Sequence, residues 1–284
     1  MKKIIPIFLF LVLFCGCLNN SKDTIYDTND GTNDKPNIKN NLNINNFWVY
    51  YGSNNIEKLS KYDLIIIEPY NYKKDDIQKL KSLNPNIKVI AYLSIGEVSK
   101  SRPYYNDVKD ISIGKNQNWG SYYINIKSPK WHNILLNEIT KFKNMGFDGV
   151  FLDTVDSAIY SNQNDETILL IKEIREKNPN LIIIQNRGFE IVDKTAPYIN
   201  GVLFEDFTTT YDFKHKKAHF WENNDLKWVN NQANNLKYLK DKYGIIVLTL
   251  DYVNDEKMSE KCIVHSNNYG FIPMTTTDIY LNKI

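Results

Sequence analysis

The chain has 284 residues, 42% hydrophobic and 24% charged, with 35 Lys plus Arg against 33 Asp plus Glu. That composition excludes a disordered or fibrous chain, and the near-zero net charge argues against bulk electrostatic binding of nucleic acid. Only three cysteines are present, two of them within the first 17 positions, which excludes a disulfide framework or a cysteine metal centre.

Taken in chain order, Lys2 and Lys3 precede an apolar run over 4–14 that is too short to span a bilayer as a stable helix. Cys15-Gly16-Cys17 follows. This reads as a lipoprotein-type signal peptide, 1–17, with Cys17 lipidated, so the protein is expected to be exported and held at the cell surface by a lipid anchor, or secreted. Loss of Lys2 and Lys3 leaves 33 residues of each sign. Residues 18–45 are rich in Asn, Asp, Lys, Thr and Ser and read as a flexible tether. The folded domain is expected to run from 46 to 284.

Within it, strand-like and helix-like segments alternate. Strands are expected at 47–52, 63–69, 87–94, 149–153, 181–186, 201–205, 245–251 and 271–275. Helices are expected at 55–61, 74–83, 128–145, 165–177, 190–195, 224–243 and 255–268, with Ser128-Pro129 as cap and first-turn proline. Cys262 falls in the last helix and reads as a small buried apolar residue. The strands are near-continuous apolar runs, as parallel strands covered on both faces require. Eight strands with helices between them in one domain fit an α/β fold, the (β/α)₈ TIM barrel. A doubly wound sheet normally carries a Gly-rich phosphate loop, and none is present. The stretch 99–123 is too long for an ordinary loop and reads as an irregular functional insertion bearing Arg102, Tyr104, Tyr105, Trp119, Tyr122 and Tyr123.

Acids stand at or just beyond the C-terminal ends of the strands: Glu68, Glu97, Asp153, Asp156, Glu205, Asp206, Asp251 and Asp278. A buried charge is costly unless it is paired or functional, and catalytic groups of such barrels come from those strand ends. Hydrolysis of a glycosidic bond needs two carboxyl groups, one carrying a proton and one ionised. Asp153 and Glu205, two strands apart, are the expected catalytic pair. Tyr51, Glu68, Tyr92, Glu97, Asn186, Arg187, Asp206 and Asp251 are the expected substrate contacts. Competing readings exist for each: Asp153 as a cap, Glu205 paired with Arg187, Glu97 as a helix-start acid, Tyr51 and Tyr92 as core. His215 and His219 are four apart, but they lie in the basic stretch Lys214–Lys217 without a His-Glu-x-x-His pattern, so no metal site is expected. No cofactor is implied, and no Ser elbow is present.

The segments Tyr92-Leu93-Ser94-Ile95-Gly96-Glu97, Gly146-Phe147-Asp148-Gly149-Val150-Phe151-Leu152-Asp153, Gln185-Asn186-Arg187-Gly188 and Leu203-Phe204-Glu205-Asp206-Phe207 resemble glycoside hydrolase family 114. The resemblance implies a TIM barrel and an endo-α-1,4-polygalactosaminidase-like hydrolase, with Asp153 and Glu205 as catalytic acids and an extracellular amino-sugar polysaccharide as substrate. A mouth ringed by Glu97, Asp153, Glu205, Asp206 and Asp251 is expected to attract a cationic polymer. The protein is expected to act as a monomer. The alternative is a catalytically inactive carbohydrate-binding surface lipoprotein.

Overall fold

The computed structural model describes residues 42–284. The signal, Cys17 and nearly all of the tether lie outside the described residues. Eight parallel strands are hydrogen-bonded in chain order: β1 Phe47–Tyr50, β2 Leu64–Ile67, β3 Lys88–Ser94, β4 Gly149–Asp153, β5 Ile182–Asn186, β6 Gly201–Glu205, β7 Ile246–Tyr252 and β8 Ile272–Thr276. The sheet curls into a barrel. At the seam between β8 and β1, the Val49 amide donates to Met274 Sδ at 3.3 Å and the Tyr51 amide to the Leu281 carbonyl at 2.7 Å. The fold is the (β/α)₈ barrel that the alternation of segments predicts.

Nine α-helices cover the described chain: α1 Ile56–Leu59, α2 Lys74–Leu83, α3 Tyr105–Val108, α4 Pro129–Met145, α5 Ser157–Tyr160, α6 Asn164–Lys177, α7 Val192–Thr195, α8 Asn223–Tyr243 and α9 Glu256–Asn268. In α4, Trp131, Leu135, Ile139 and Phe142 recur at helical spacing and are all buried, which fixes the face it lays on the sheet. Pro129 starts this helix and Gly146, at φ 103°, ends it. Ser128 occupies the cap position without a side-chain hydrogen bond. The turns of α1 and α7 are too short to stand alone in water. They persist because Leu59 and Val192 are fully buried, each such side chain contributing roughly 1.5–3 kcal/mol.

Side-chain alternation sorts every strand into two cores. Val49, Leu64, Ile66, Ile90, Phe151 and Leu248 fill the barrel interior. Ile65, Val89, Val150, Ile183, Val202 and Val247 face the helices. At the base of β4, a Cβ on Gly149 would stand 2.2 Å from the Ile182 carbonyl oxygen, so only glycine lets β5 approach there.

Two expected loops are ordered sheets instead. The insertion after β3 holds a three-stranded antiparallel sheet, Glu97–Val98, Tyr122–Ile124 and Ser112–Lys115, together with α3. After β6, Thr209–Asp212 pairs with Lys217–Phe220 as a hairpin. Strands of two to four residues are too short to display a period, which is why the sequence reads as irregular there. His215 sits at the hairpin turn, bonded to Asp212 at 2.5 Å. No helix among the described residues is long and apolar enough to cross a membrane.

Candidate active site

Strand alternation decides which side chains reach the barrel mouth. Counting from the interior core, Tyr51, Glu68, Tyr92, Asp153, Asn186, Glu205 and Tyr252 all carry inward parity. Six of them are half-buried, as groups lining an open mouth should be, and Tyr252 is buried.

The Asn186 side chain is the centre of this cluster. Its Nδ2 donates to Asp153 Oδ1 at 2.9 Å and to Glu205 Oε2 at 3.2 Å. Those two oxygens therefore lie at most about 6 Å apart, the two bonds laid end to end. The reverse amide orientation would set a carbonyl oxygen against two carboxyl groups. The observed one leaves Asn186 Oδ1 buried without a partner among the described residues. Tyr92 donates to Asp153 Oδ2 at 2.5 Å, and Tyr252 to Glu205 Oε1 at 2.7 Å. Each carboxyl group thus holds one tyrosine and shares one amide. Tyr51 meets Tyr92 edge to face with centroids 5.2 Å apart. Burial raises its hydroxyl well above the usual tyrosine range, with Asp153 and then Glu205 adding to the effect.

Burial also raises Glu205 above the usual carboxyl range. The Tyr252 hydrogen bond opposes that shift, Asp153 reinforces it, and Asn186 and Arg187 oppose it. An upward shift in one of two neighbouring carboxyl groups is in the direction that a division into acid and base requires.

The strand ends that carry Asp153, Asn186 and Glu205 share one backbone device. Each is followed by a non-glycine residue in the left-handed region: Thr154 at φ 61°, Arg187 at 49° and Asp206 at 59°. Such residues are uncommon outside glycine and gather at functional sites. The Thr154 hydroxyl also accepts from the Gly96 amide at 2.9 Å. A Cβ on Gly96 would meet the Thr154 carbonyl oxygen at 2.4 Å, so the turn after β3 and the turn after β4 fit only with glycine there.

Other residues expected to touch substrate sit elsewhere. Glu97 is 5% exposed, and Asn116, Ser121 and Ser157 all donate to its carboxylate. It ties the insertion to the turn after β4. Asp251 is 1% exposed and faces the outer layer, where the amides of Thr208 and Thr209 donate to it at 2.6 and 2.9 Å. Burial pushes it up to about 6 against those hydrogen bonds. Asp206 is 1% exposed, and neither carboxyl oxygen has a hydrogen-bond partner among the described residues. Burial raises it well above the usual range, Glu205 adding to the effect. Arg187 does not pair with Glu205. It lies 3.2 Å from Asp156 with its guanidinium over Phe189 and Trp228. The expected ring of five acids therefore contracts to Asp153 and Glu205, with Glu68 held by Arg102 at 2.7 and 2.9 Å. Among the described residues, no cluster of His, Cys, Asp and Glu is placed to hold a metal ion.

Sequence reasoning passed over Tyr252 and the role of Arg102. Tyr252 follows from alternation: Leu248 and Leu250 point inward, so residue 252 does too, while Asp251 cannot. No local signal announces the Arg102–Glu68 pair, which joins positions 34 apart across an insertion.

A (β/α)₈ barrel with two carboxyl groups converging at its strand ends has the layout that hydrolysis of a glycosidic bond requires. The family model for glycoside hydrolase family GH114 matches residues 28–283, and the chain belongs to that family. An uncharacterized protein of Methanocaldococcus jannaschii is 29% identical, with 90% of this chain and 82% of the relative covered. The glycoside hydrolase domain of PelA from Pseudomonas aeruginosa superposes with a TM-score of 0.75 at 21% identity, covering 85% of this chain and 97% of that one. Ega3 of Aspergillus fumigatus, solved in complex with galactosamine, gives 0.67 at 16% identity, covering 89% and 96%. At those identities the two structures establish the barrel.

Proposed function

We propose that the protein is a retaining glycoside hydrolase that cleaves an extracellular amino-sugar polysaccharide, with α-1,4-linked polygalactosamine the first polymer to test. The observation that carries this reading is the amide of Asn186 bridging Asp153 and Glu205. Retaining enzymes hold their carboxyl groups about 5–5.5 Å apart and inverting ones roughly 6.5–9.5 Å, and the close approach of the two oxygens that share the Asn186 amide favours the first arrangement. Glu205, whose carboxyl group burial raises above the usual range, gives its proton to the glycosidic oxygen as the C1–O bond breaks. The Asp153 carboxylate attacks C1 and forms a glycosyl ester. A water molecule then attacks C1, surrendering a proton to Glu205, and Asp153 leaves as the carboxylate. The galactosamine complex of Ega3 and the family assignment support an amino sugar as the unit recognised. An ammonium-bearing chain also suits a mouth at which Asp153 acts as a carboxylate.

Export through the signal at 1–17, lipidation of Cys17 and action as a monomer belong to the same proposal and rest on the sequence. The deciding experiment is a polysaccharide panel assayed for new reducing ends and for anomeric configuration. The wild type is expected to release α-configured ends, with about a 10³-fold or greater loss in Asp153→Asn and Glu205→Gln. Turnover that survives either substitution refutes the assignment.

A further inference from the structure

The insertion after β3 delivers one cation to the mouth. Arg102 forks onto Glu68, Nη1 to Oε1 at 2.7 Å and Nη2 to Oε2 at 2.9 Å. The same guanidinium stands over the ring of Tyr92, 5.3 Å from its centroid, and over that of Tyr70 at 5.2 Å. The Arg102 and Glu68 side chains are 14% and 19% exposed, so water and salt screen them far less than a surface pair. Tyr92 in turn donates to Asp153 at 2.5 Å. A positive charge over a phenol face favours negative charge on its oxygen, which makes the hydroxyl a stronger donor. A planar group stacked on the ring also fixes where that hydroxyl points.

We propose, resting on the hydrolase reading above, that Arg102 is a positioning residue for the reaction. It clamps Tyr92 and strengthens the Tyr92 hydrogen bond to Asp153, so that the insertion helps to hold Asp153 ready to attack. The ionisable groups facing this unit come from several elements. Tyr51 follows β1, Glu68 follows β2 and Glu205 ends β6, while Tyr104 in the insertion lies near Arg102 and Glu138 on α4 near Tyr104. Arg187, beyond β5, acts on Glu205. Arg102 is thus the cation that bears on Tyr92, where it opposes the upward shift caused chiefly by burial.

The test measures kcat, KM and the pH profile of the full chain on a polymer that the wild type cleaves. Arg102→Met is expected to lower kcat about 10-fold with KM held within about 3-fold, and to move the acidic limb of kcat/KM up by about 0.5–1 pH unit. Glu68→Gln removes the counter-charge while leaving Arg102 over the ring, and is expected to move the same limb down. Arg102→Lys keeps the charge without the fork and is expected to fall between Arg102→Met and the wild type. A loosened insertion would lower activity in both variants without splitting the limb in opposite directions. An acidic limb unmoved in Arg102→Met, or a rise confined to KM, overturns the proposal. Should Arg102→Met not fold, Arg102→Lys and Glu68→Gln read the same limb, and movement in one direction overturns it. An active wild type with an unmoved limb removes this role alone, whereas a wild type without turnover removes the hydrolase reading and this role together.

Discussion

Tyr252→Phe tests the proton-bearing role of Glu205 with the smallest possible change. The substitution deletes one hydroxyl, which donates to Glu205 Oε1 at 2.7 Å, and keeps the ring that packs at the mouth against Tyr211, centroids 6.3 Å apart. Tyr252 is 6% exposed, so water does not freely replace the lost donor. A hydrogen bond to a charged group contributes about 1.5–3 kcal/mol, and 1.4 kcal/mol corresponds to about one pH unit or about a tenfold rate change. The sign follows from the proton balance. The Tyr252 hydroxyl favours ionised Glu205 and so opposes the upward shift caused by burial. Its removal raises Glu205 further, and the basic limb of kcat/KM should move up by about one pH unit. The maximal rate should fall about 10–30-fold, because the carboxylate left after proton transfer has lost a donor. The assay is a pH–rate profile of reducing-end release, with a thermal melt to confirm folding. A basic limb that stays in place or moves down refutes the assignment of Glu205 as the acid. Movement of the acidic limb instead would give that role to Asp153.

Two further predictions concern stability. Asp206 is buried, without a hydrogen-bond partner among the described residues, and raised well above the usual carboxyl range, so the native state keeps a proton that the unfolded chain releases. Wild-type stability should therefore fall as pH rises above the ordinary Asp value, by up to about 1.4 kcal/mol per pH unit until the native group ionises. Asp206→Asn should remove that slope, and a melting-temperature difference that stays constant between pH 5 and 8 would refute the reasoning. In Gly96→Ala the new methyl would stand 2.4 Å from the Thr154 carbonyl oxygen and 2.9 Å from Ser157 Cβ. It should cost about 1–3 kcal/mol or more, whereas Gly114→Ala, whose Cβ meets only a ring atom of Tyr123 at 3.4 Å, should melt within a few degrees of the wild type.

Most of the barrel is legible in the sequence, and so are its two central acids, for one reason. Buried parallel strands demand long apolar runs, and Asp153 and Glu205 close such runs. Several of the expected substrate contacts lie near a strand end yet lack the side-chain parity that points into the mouth. Asp206 and Arg187 each follow an inward residue by one position, and Asp251 precedes one. Asp206 and Asp251 are buried, and Arg187 lies over Phe189 and Trp228. Glu97 fails for another reason: it has left the barrel and belongs to the insertion sheet, where three donors wait for it. Helix α5 has four residues, too few for a periodic signal.

The left-handed turns after β4, β5 and β6 were also invisible, because Thr154, Arg187 and Asp206 are not glycine and advertise no special backbone. Yet these turns bear on the site. Each falls at the residue after the side chain that faces the mouth, where the strand ends, so Asp153, Asn186 and Glu205 are the last residues of their strands. A left-handed conformation disfavours L residues by roughly 1–2 kcal/mol, and three in succession along the rim require compensation from the surrounding packing. That compensation is visible at all three, the backbone of Arg187 being held by the Leu203 carbonyl at 3.0 Å and the Gln185 side-chain amide at 2.7 Å. Thr154 is held by Gly96 and Ser94. The backbone of Asp206 is held by the Leu250 carbonyl and the Trp221 indole, at 2.9 and 2.8 Å. The carboxyl pair is thus set by the backbone as much as by the hydrogen bonds of Asn186.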